Sequence, residues 1–161
     1  MCGIAGIVSH DPGSRIGAAL KSIEHRGLDD EGVFISESFG SDKLKSCLGH
    51  RRLSIIDTSA AGHQPMLTDD GRYALVLNGE IYNYKQIRSE LEAEGVAFFS
   101  GSDTEVLLKA FREWNVGCLD ISALARWNGR LIGLWRIAPS SVFLTTTSST
   151  STPCSGIGTC S

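Results

Sequence analysis

The chain has 161 residues, 42% hydrophobic and 20% charged, enough for one domain with a real core and too apolar for global disorder. A net charge of −3, with "HRR" at 50–52 as its densest basic cluster, gives no footing for nucleic acid or an anionic membrane. Five cysteines (Cys2, Cys47, Cys118, Cys154, Cys160) without a CxxC pair argue against a disulfide framework or zinc ribbon and for free thiols.

"CGIAGIV" predicts a first buried strand, a short apolar run ended by the turn chemistry of "SHDPGS". Ile16, Ala19, Leu20 and Ile23 follow helical spacing, and Gly27 ends that helix. "GVFIS" and "SCLGHRRLSIID" each carry a strand. "YALVLNGEIYN" is a continuous apolar run, an Asn-Gly and a second short run, which on local chemistry predicts a tight turn between strands. Asn83 with Gln86 three residues on matches a capping box, and Tyr84, Ile87 and Leu91 line one helical face up to Gly95. Ser102 with Glu105 repeats the device ahead of a stripe formed by Val106, Leu107, Ala110, Phe111 and Trp114. Strands with helices among them predict an α+β layered domain. After about residue 120 the apolar residues lose a clean period, and "TTTSSTSTPCSGIGTCS" is low-complexity sequence with no means of burying surface.

The N-terminus has no basic segment followed by an apolar one, so no signal peptide is expected, and no apolar stretch approaches the roughly 18 residues of a membrane span. A cytoplasmic protein without a membrane partner is the expectation. His10, His25, His50 and His63 lack the i,i+4 spacing of a helical metal site. No phosphate-binding glycine loop or nucleophile elbow is present either.

Cys2 stands where only one chemistry makes its position special. With Met1 removed, the thiol and a free α-amine belong to one residue. Such amines titrate at about 7.7–8.0, close enough to neutrality to serve as a base for the nucleophile. The competing reading is a small core residue opening a strand. "LNGE" at 77–80 likewise supports either a turn or an oxyanion hole built from the Asn78 amide and the Gly79 N–H.

"MCGIAGIV", "HRGLDDEG" (25–32), "LGHRRLSIIDTSAAGHQPM" (48–66), "LVLNGEIYNYKQIRSELE" (75–92) and "SGSDTEVLLKAF" (100–111) decide between them. In this order they resemble the N-terminal glutaminase domain of class II glutamine amidotransferases, most closely glutamine-hydrolysing asparagine synthetases. The resemblance covers residues 2–120. It implies the four-layer αββα sandwich of N-terminal nucleophile hydrolases. It also implies L-glutamine as substrate, with Cys2 as nucleophile and Asn78 and Gly79 as oxyanion donors. Arg52 is implied to grip the α-carboxylate, Asp103 to receive the ammonium, and Ile55, Ile56 and Glu80 to line the rest of the pocket. No cofactor is implied for this chain. ATP and Mg are expected only in the synthetase domain or subunit that receives ammonia for asparagine synthesis from aspartate, and this chain stops before its "SGGxDS"-type loop.

Two departures qualify the resemblance. Leu28 replaces the proline of the family's "HRGPD". Residues 121–144 replace the family's later strands, which predicts a sandwich incomplete at its C-terminal strands, and 145–161 predict a disordered tail. The alternatives are therefore an inactive truncated relative or binding module, and a glutaminase domain serving another acceptor.

Overall fold

The computed structural model describes residues 2–54, 59–115 and 117–120, together with the backbone of strands at 131–136, 142–145 and 156–159. The chain order is β1 (Gly3–Ser9), α1 (Gly13–Ser22), β2 (Asp30–Ile35), β3 (Lys45–Arg52), β4 (Met66–Leu67), β5 (Tyr73–Asn78), α2 (Tyr84–Ala93), α3 (Asp103–Trp114), α4 (Gly117–Asp120), β6 (Leu131–Arg136), β7 (Val142–Thr145) and β8 (Gly156–Thr159). One antiparallel sheet has the order β1-β3-β2 and a second β4-β5-β6.

Period-2 alternation sorts the strand residues into layers. Cys47 of β3 and Ala5 and Ile7 of β1 pack on Ile16 and Leu20 of α1. The opposite face of that sheet presents Ile4, Phe34 and Leu48, which meet Ala74 and Val76 of β5. The other side of β5 offers Tyr73, Leu75 and Leu77 to Ile87 and Leu91 of α2 and to Val106, Leu107 and Phe111 of α3. The order is helix, sheet, sheet, helices, the αββα sandwich implied by the resemblance. β5 is central to both packings, which explains why its run is apolar at every position.

Several local expectations change. Asn-Gly does not close a hairpin: β5 ends at Asn78 and the chain bends through Gly79 and Glu80 into α2. The reason is tertiary, because Ile81, Ile87 and Leu91 bury against the helix-facing side of β5. Asn83 occupies the N-cap of α2 but makes no side-chain cap bond, and Gln86 Nε2 donates instead to Glu90 at 3.1 Å. Its backbone (φ −98°, ψ 19°) is not the extended conformation in which a cap side chain reaches forward. Ser102 does cap α3, its hydroxyl accepting from Thr104 N–H at 3.1 Å, while Glu105 turns elsewhere.

β6 pairs with β5 from within the stretch read as divergent. β8 lies in the Thr/Ser-rich tail, where no regular structure was expected, and pairs with β7. Ladder bonds are made by backbone groups and need no buried side chain. Among the described residues no helix is long and apolar enough to cross a membrane.

Gly32 marks where the sheet and the 63–65 segment touch. A Cβ there would stand 2.0 Å from the Gln64 carbonyl oxygen and 2.8 Å from the His63 ring. Gly32→Ala is expected to cost about 2–3 kcal/mol through forced displacement. That lowers the melting temperature by roughly 5–10 °C for a domain of this size. An unchanged calorimetric melt would show that the 63–65 segment yields freely.

Candidate active site

Antiparallel pairing brings the start of β1 beside the end of β3, with Gly3 opposite Arg51. Cys2, one residue before β1, is thereby seated on the backbone of Leu53. Its Sγ accepts from Leu53 N–H at 3.4 Å and donates weakly to the Leu53 carbonyl at 3.7 Å. Arg26 Nε donates to the Cys2 carbonyl at 3.1 Å, which fixes the main chain carrying the thiol. Cys2 is partly exposed, unlike Cys47 and Cys118, which are buried. Burial pushes the Cys47 thiol up from its ordinary value, away from reactivity.

Arg52, the last residue of β3, is buried, and its Nη1 donates to the Ser59 carbonyl at 2.9 Å. It lines an open cleft of about 590 Å³ with Asp29, Asp30, Ser54, Ser59, Ala60 and His63, a volume suited to a small molecule. Asp29 braces this side: its N–H donates to the Arg52 carbonyl at 3.1 Å, and its Oδ2 accepts from Ser54 N–H at 2.7 Å. Asp30, opposite Arg52 in the β2–β3 register, lies 2.7 Å from His63 Nδ1.

The second half of the expected set comes from the other sheet, and neither it nor Cys2 lines that cleft. Asn78 ends β5 and is partly buried, while Gly79 and Glu80 are exposed. Asp103 opens α3 and is buried, its Oδ2 accepting from Ile81 N–H at 3.0 Å. Burial pushes its pKa up, the Ile81 and Thr104 N–H groups oppose that rise, and the nearby Glu80 charge adds to it. Two residues on, burial pushes Glu105 the same way but is overcome. Its carboxylate accepts from Ser100 Oγ at 2.6 Å, Ser100 N–H at 2.7 Å and Phe99 N–H at 2.9 Å, and pairs with Lys109 at 3.1 Å. Its pKa is held below the ordinary value. Among the described residues no cation pairs with Asp103. One carboxylate is satisfied internally, and its neighbour accepts from Ile81 N–H with no positive partner among the described residues.

His50 links the halves. It is fully buried between the sheets, its ring facing the Leu77 backbone without a hydrogen bond of good geometry. Burial lowers its pKa to about 4, opposed by the Leu77 carbonyl and Asp30 and reinforced by Arg52 and His63, so the imidazole is neutral near pH 7.

Of the expected set, Cys2 and Arg52 converge on the end of β3, and Asn78, Gly79, Glu80 and Asp103 on the end of β5. Ile55 and Ile56 lie outside the described residues. Leu53, Asp29, Asp30, His63 and Gln64 were assigned no role in the sequence, although "HRGLDDEG" and "GHQPM" contained four of them. Their partners lie far along the chain: His63 meets Asp30 33 positions away.

The model of the glutamine amidotransferase domain family matches residues 1–131. The chain is 41% identical over 121 residues to asparagine synthetase [glutamine-hydrolyzing] 1 of Bacillus subtilis, covering 71% of this chain and 18% of that protein. It is 36% identical over 139 residues to asparagine synthetase [glutamine-hydrolyzing] 3 of the same organism, with 80% and 21% covered. It is 32% identical over 130 residues to amidase chry2 of Gibberella zeae, with 72% and 18% covered. The chain thus spans about a fifth of the length of these relatives. Among solved structures, the glutamine phosphoribosylpyrophosphate amidotransferase from B. subtilis, complexed with ADP and GMP, superposes with a TM-score of 0.66 at 20% identity. That match covers 91% of this chain and 37% of the other, and shows a common fold.

Proposed function

Because the chain belongs to the glutamine amidotransferase domain family, we propose that it hydrolyses glutamine to glutamate and ammonia through a thioester on Cys2. The observation that carries this reading is Asp103, a buried carboxylate beside the Asn78–Glu80 bend that no cation among the described residues pairs with. Such a group calls for a positive ligand, and glutamine supplies an ammonium. Arg52 in the cleft suits its α-carboxylate, since a guanidinium matches that group with paired donors.

With Met1 removed, the Cys2 amine takes the thiol proton and the sulfur attacks the side-chain amide carbon. The carbonyl oxygen gains the negative charge, which the Asn78 amide and Gly79 N–H stabilise. Collapse breaks the C–N bond, and the proton held by the amine leaves with ammonia. Water then attacks the γ-glutamyl thioester, releasing glutamate and restoring the thiol. Thiol attack on an amide draws on no cofactor, so ATP and Mg are assigned to a synthetase domain or subunit receiving the ammonia. The names of two relatives support asparagine synthesis as the destination. A third relative, named an amidase, supports a different acceptor as the second reading.

The test is direct. The purified chain with Met1 cleaved, confirmed by intact mass, is expected to release ammonia and glutamate from glutamine in equal amounts. A folded, correctly processed chain that releases neither would be an inactive relative.

A further inference from the structure

Gln64 belongs to the "GHQPM" stretch and takes no part in the chemistry above, yet it is buried and both ends of its amide are engaged. By extension of the Met66–Leu75 register it lies opposite Leu77, and its side chain makes the bond a longer β4 would have made. Oε1 accepts from Leu77 N–H at 2.7 Å, and Nε2 donates to Thr104 Oγ1 at 3.0 Å. Thr104 follows Asp103, and Asp103 accepts from Ile81 N–H at 3.0 Å. The bonds close a ring: Leu77 to Gln64, Gln64 to Thr104, Asp103 to Ile81, and back through Glu80, Gly79 and Asn78. The bend carrying the two oxyanion donors is therefore pinned at both ends to the first turn of α3. That turn is itself fixed by the Ser102 cap.

We infer that Gln64 is a positioning residue that sets the Asn78–Gly79 donors and the Asp103 carboxylate in one register through this ring. The inference rests on the glutaminase reading for its catalytic consequence, while the ring is a property of the fold. A hydrophobic residue of similar length would fill the space but hold neither end. The strand end and the helix turn would then move independently, and displacement of about 1 Å at an oxyanion hole costs on the order of 10²-fold in rate.

Steady-state kinetics on the full chain test it. Gln64→Met is expected to lower kcat about 10–100-fold and to raise KM for glutamine about 10-fold, because donors and clamp both lose register. Thr104→Val cuts only the helix arm and is expected to give smaller losses of both. The double variant should resemble Gln64→Met alone, since one ring is broken either way. Leu20→Ala, a core truncation in the opposite outer layer, serves as a destabilised control and should keep both constants near wild type. If Gln64→Met stays folded with kcat and KM within twofold of wild type, the inference is overturned; so it is if Leu20→Ala matches its losses. Amide hydrogen exchange separates this failure from failure of the glutaminase reading. In Gln64→Met the Leu77 and Ile81 amides should exchange at least about 10-fold faster, while β1 and β3 amides are unchanged. An inactive wild type with that pattern sinks the glutaminase reading and leaves the ring standing. Unchanged Leu77 and Ile81 exchange sinks the ring.

Discussion

Cys2→Ala is expected to abolish ammonia release from glutamine, by on the order of 10⁵–10⁶ in kcat, as removal of a covalent nucleophile does elsewhere. The same substitution should barely change stability. The thiol is only partly buried, and its contacts to the Leu53 backbone, at 3.4 and 3.7 Å, are weak sulfur hydrogen bonds. A change within about 0.5 kcal/mol, or about 1–2 °C in melting temperature, is the expectation. This combination separates the nucleophile from a small core residue opening a strand. Loss of activity together with a large fall in melting temperature would restore the core reading. Ammonia release equal to wild type would remove Cys2 from the mechanism altogether. A companion variant with one residue inserted between Met1 and Cys2 keeps the thiol but takes away its free amine. It should also lose most activity, and full activity there would mean that another group serves as base.

The sequence made these residues visible unevenly, for physical reasons. Short apolar runs announce themselves, so "CGIAGIV", "SCLGHRR" and "YALVL" coincide with β1, β3 and β5, although in β1 only Gly3 is buried and Val8 is exposed. The Ser102 cap was legible because its partner, Thr104 N–H, is two residues away. Asn78–Gly79 was read as a hairpin because the preference of Asn-Gly is local. Which element follows is decided by Ile87 and Leu91 burying on β5, a contact no short window contains. Candidate site residues were found through whole motifs rather than single-residue chemistry, since Cys2, Arg52 and Asp103 each have an ordinary structural explanation. What remained hidden was the bracing. Gln64 lies 13 positions from Leu77 and 40 from Thr104, and nothing in "GHQPM" names either partner. Burial has a similar reach: the contrast between Asp103 and Glu105, two positions apart, exists only once the 97–102 loop folds over one of them.

That contrast yields the most demanding expectation, because activity and stability should move in opposite directions. The folded state raises the pKa of Asp103 above its ordinary 3.8, chiefly through burial, with Glu80 adding to the rise against the Ile81 and Thr104 N–H groups. The folded protein therefore binds this proton more tightly than the unfolded chain. Stability from this group is present below pH 3.8 and declines as pH rises through the folded value. Near neutrality the ionised carboxylate destabilises the free enzyme, and an ammonium ligand would relieve that strain. Asp103→Asn retains an oxygen to accept from Ile81 N–H but cannot ionise. It is expected to melt at the same or a higher temperature than wild type at pH 7, and to lose that advantage toward pH 4. Glutamine turnover should fall about 100-fold or more in kcat/KM, in line with the 2–5 kcal/mol typical when one member of a buried charge pair is removed. Wild-type kcat/KM should also decline on acidification as Asp103 takes up its proton, a limb the variant should lack. A variant that melts several degrees lower at pH 7 would make Asp103 a structural carboxylate. One that keeps kcat/KM within twofold would remove the ammonium clamp from the proposed mechanism.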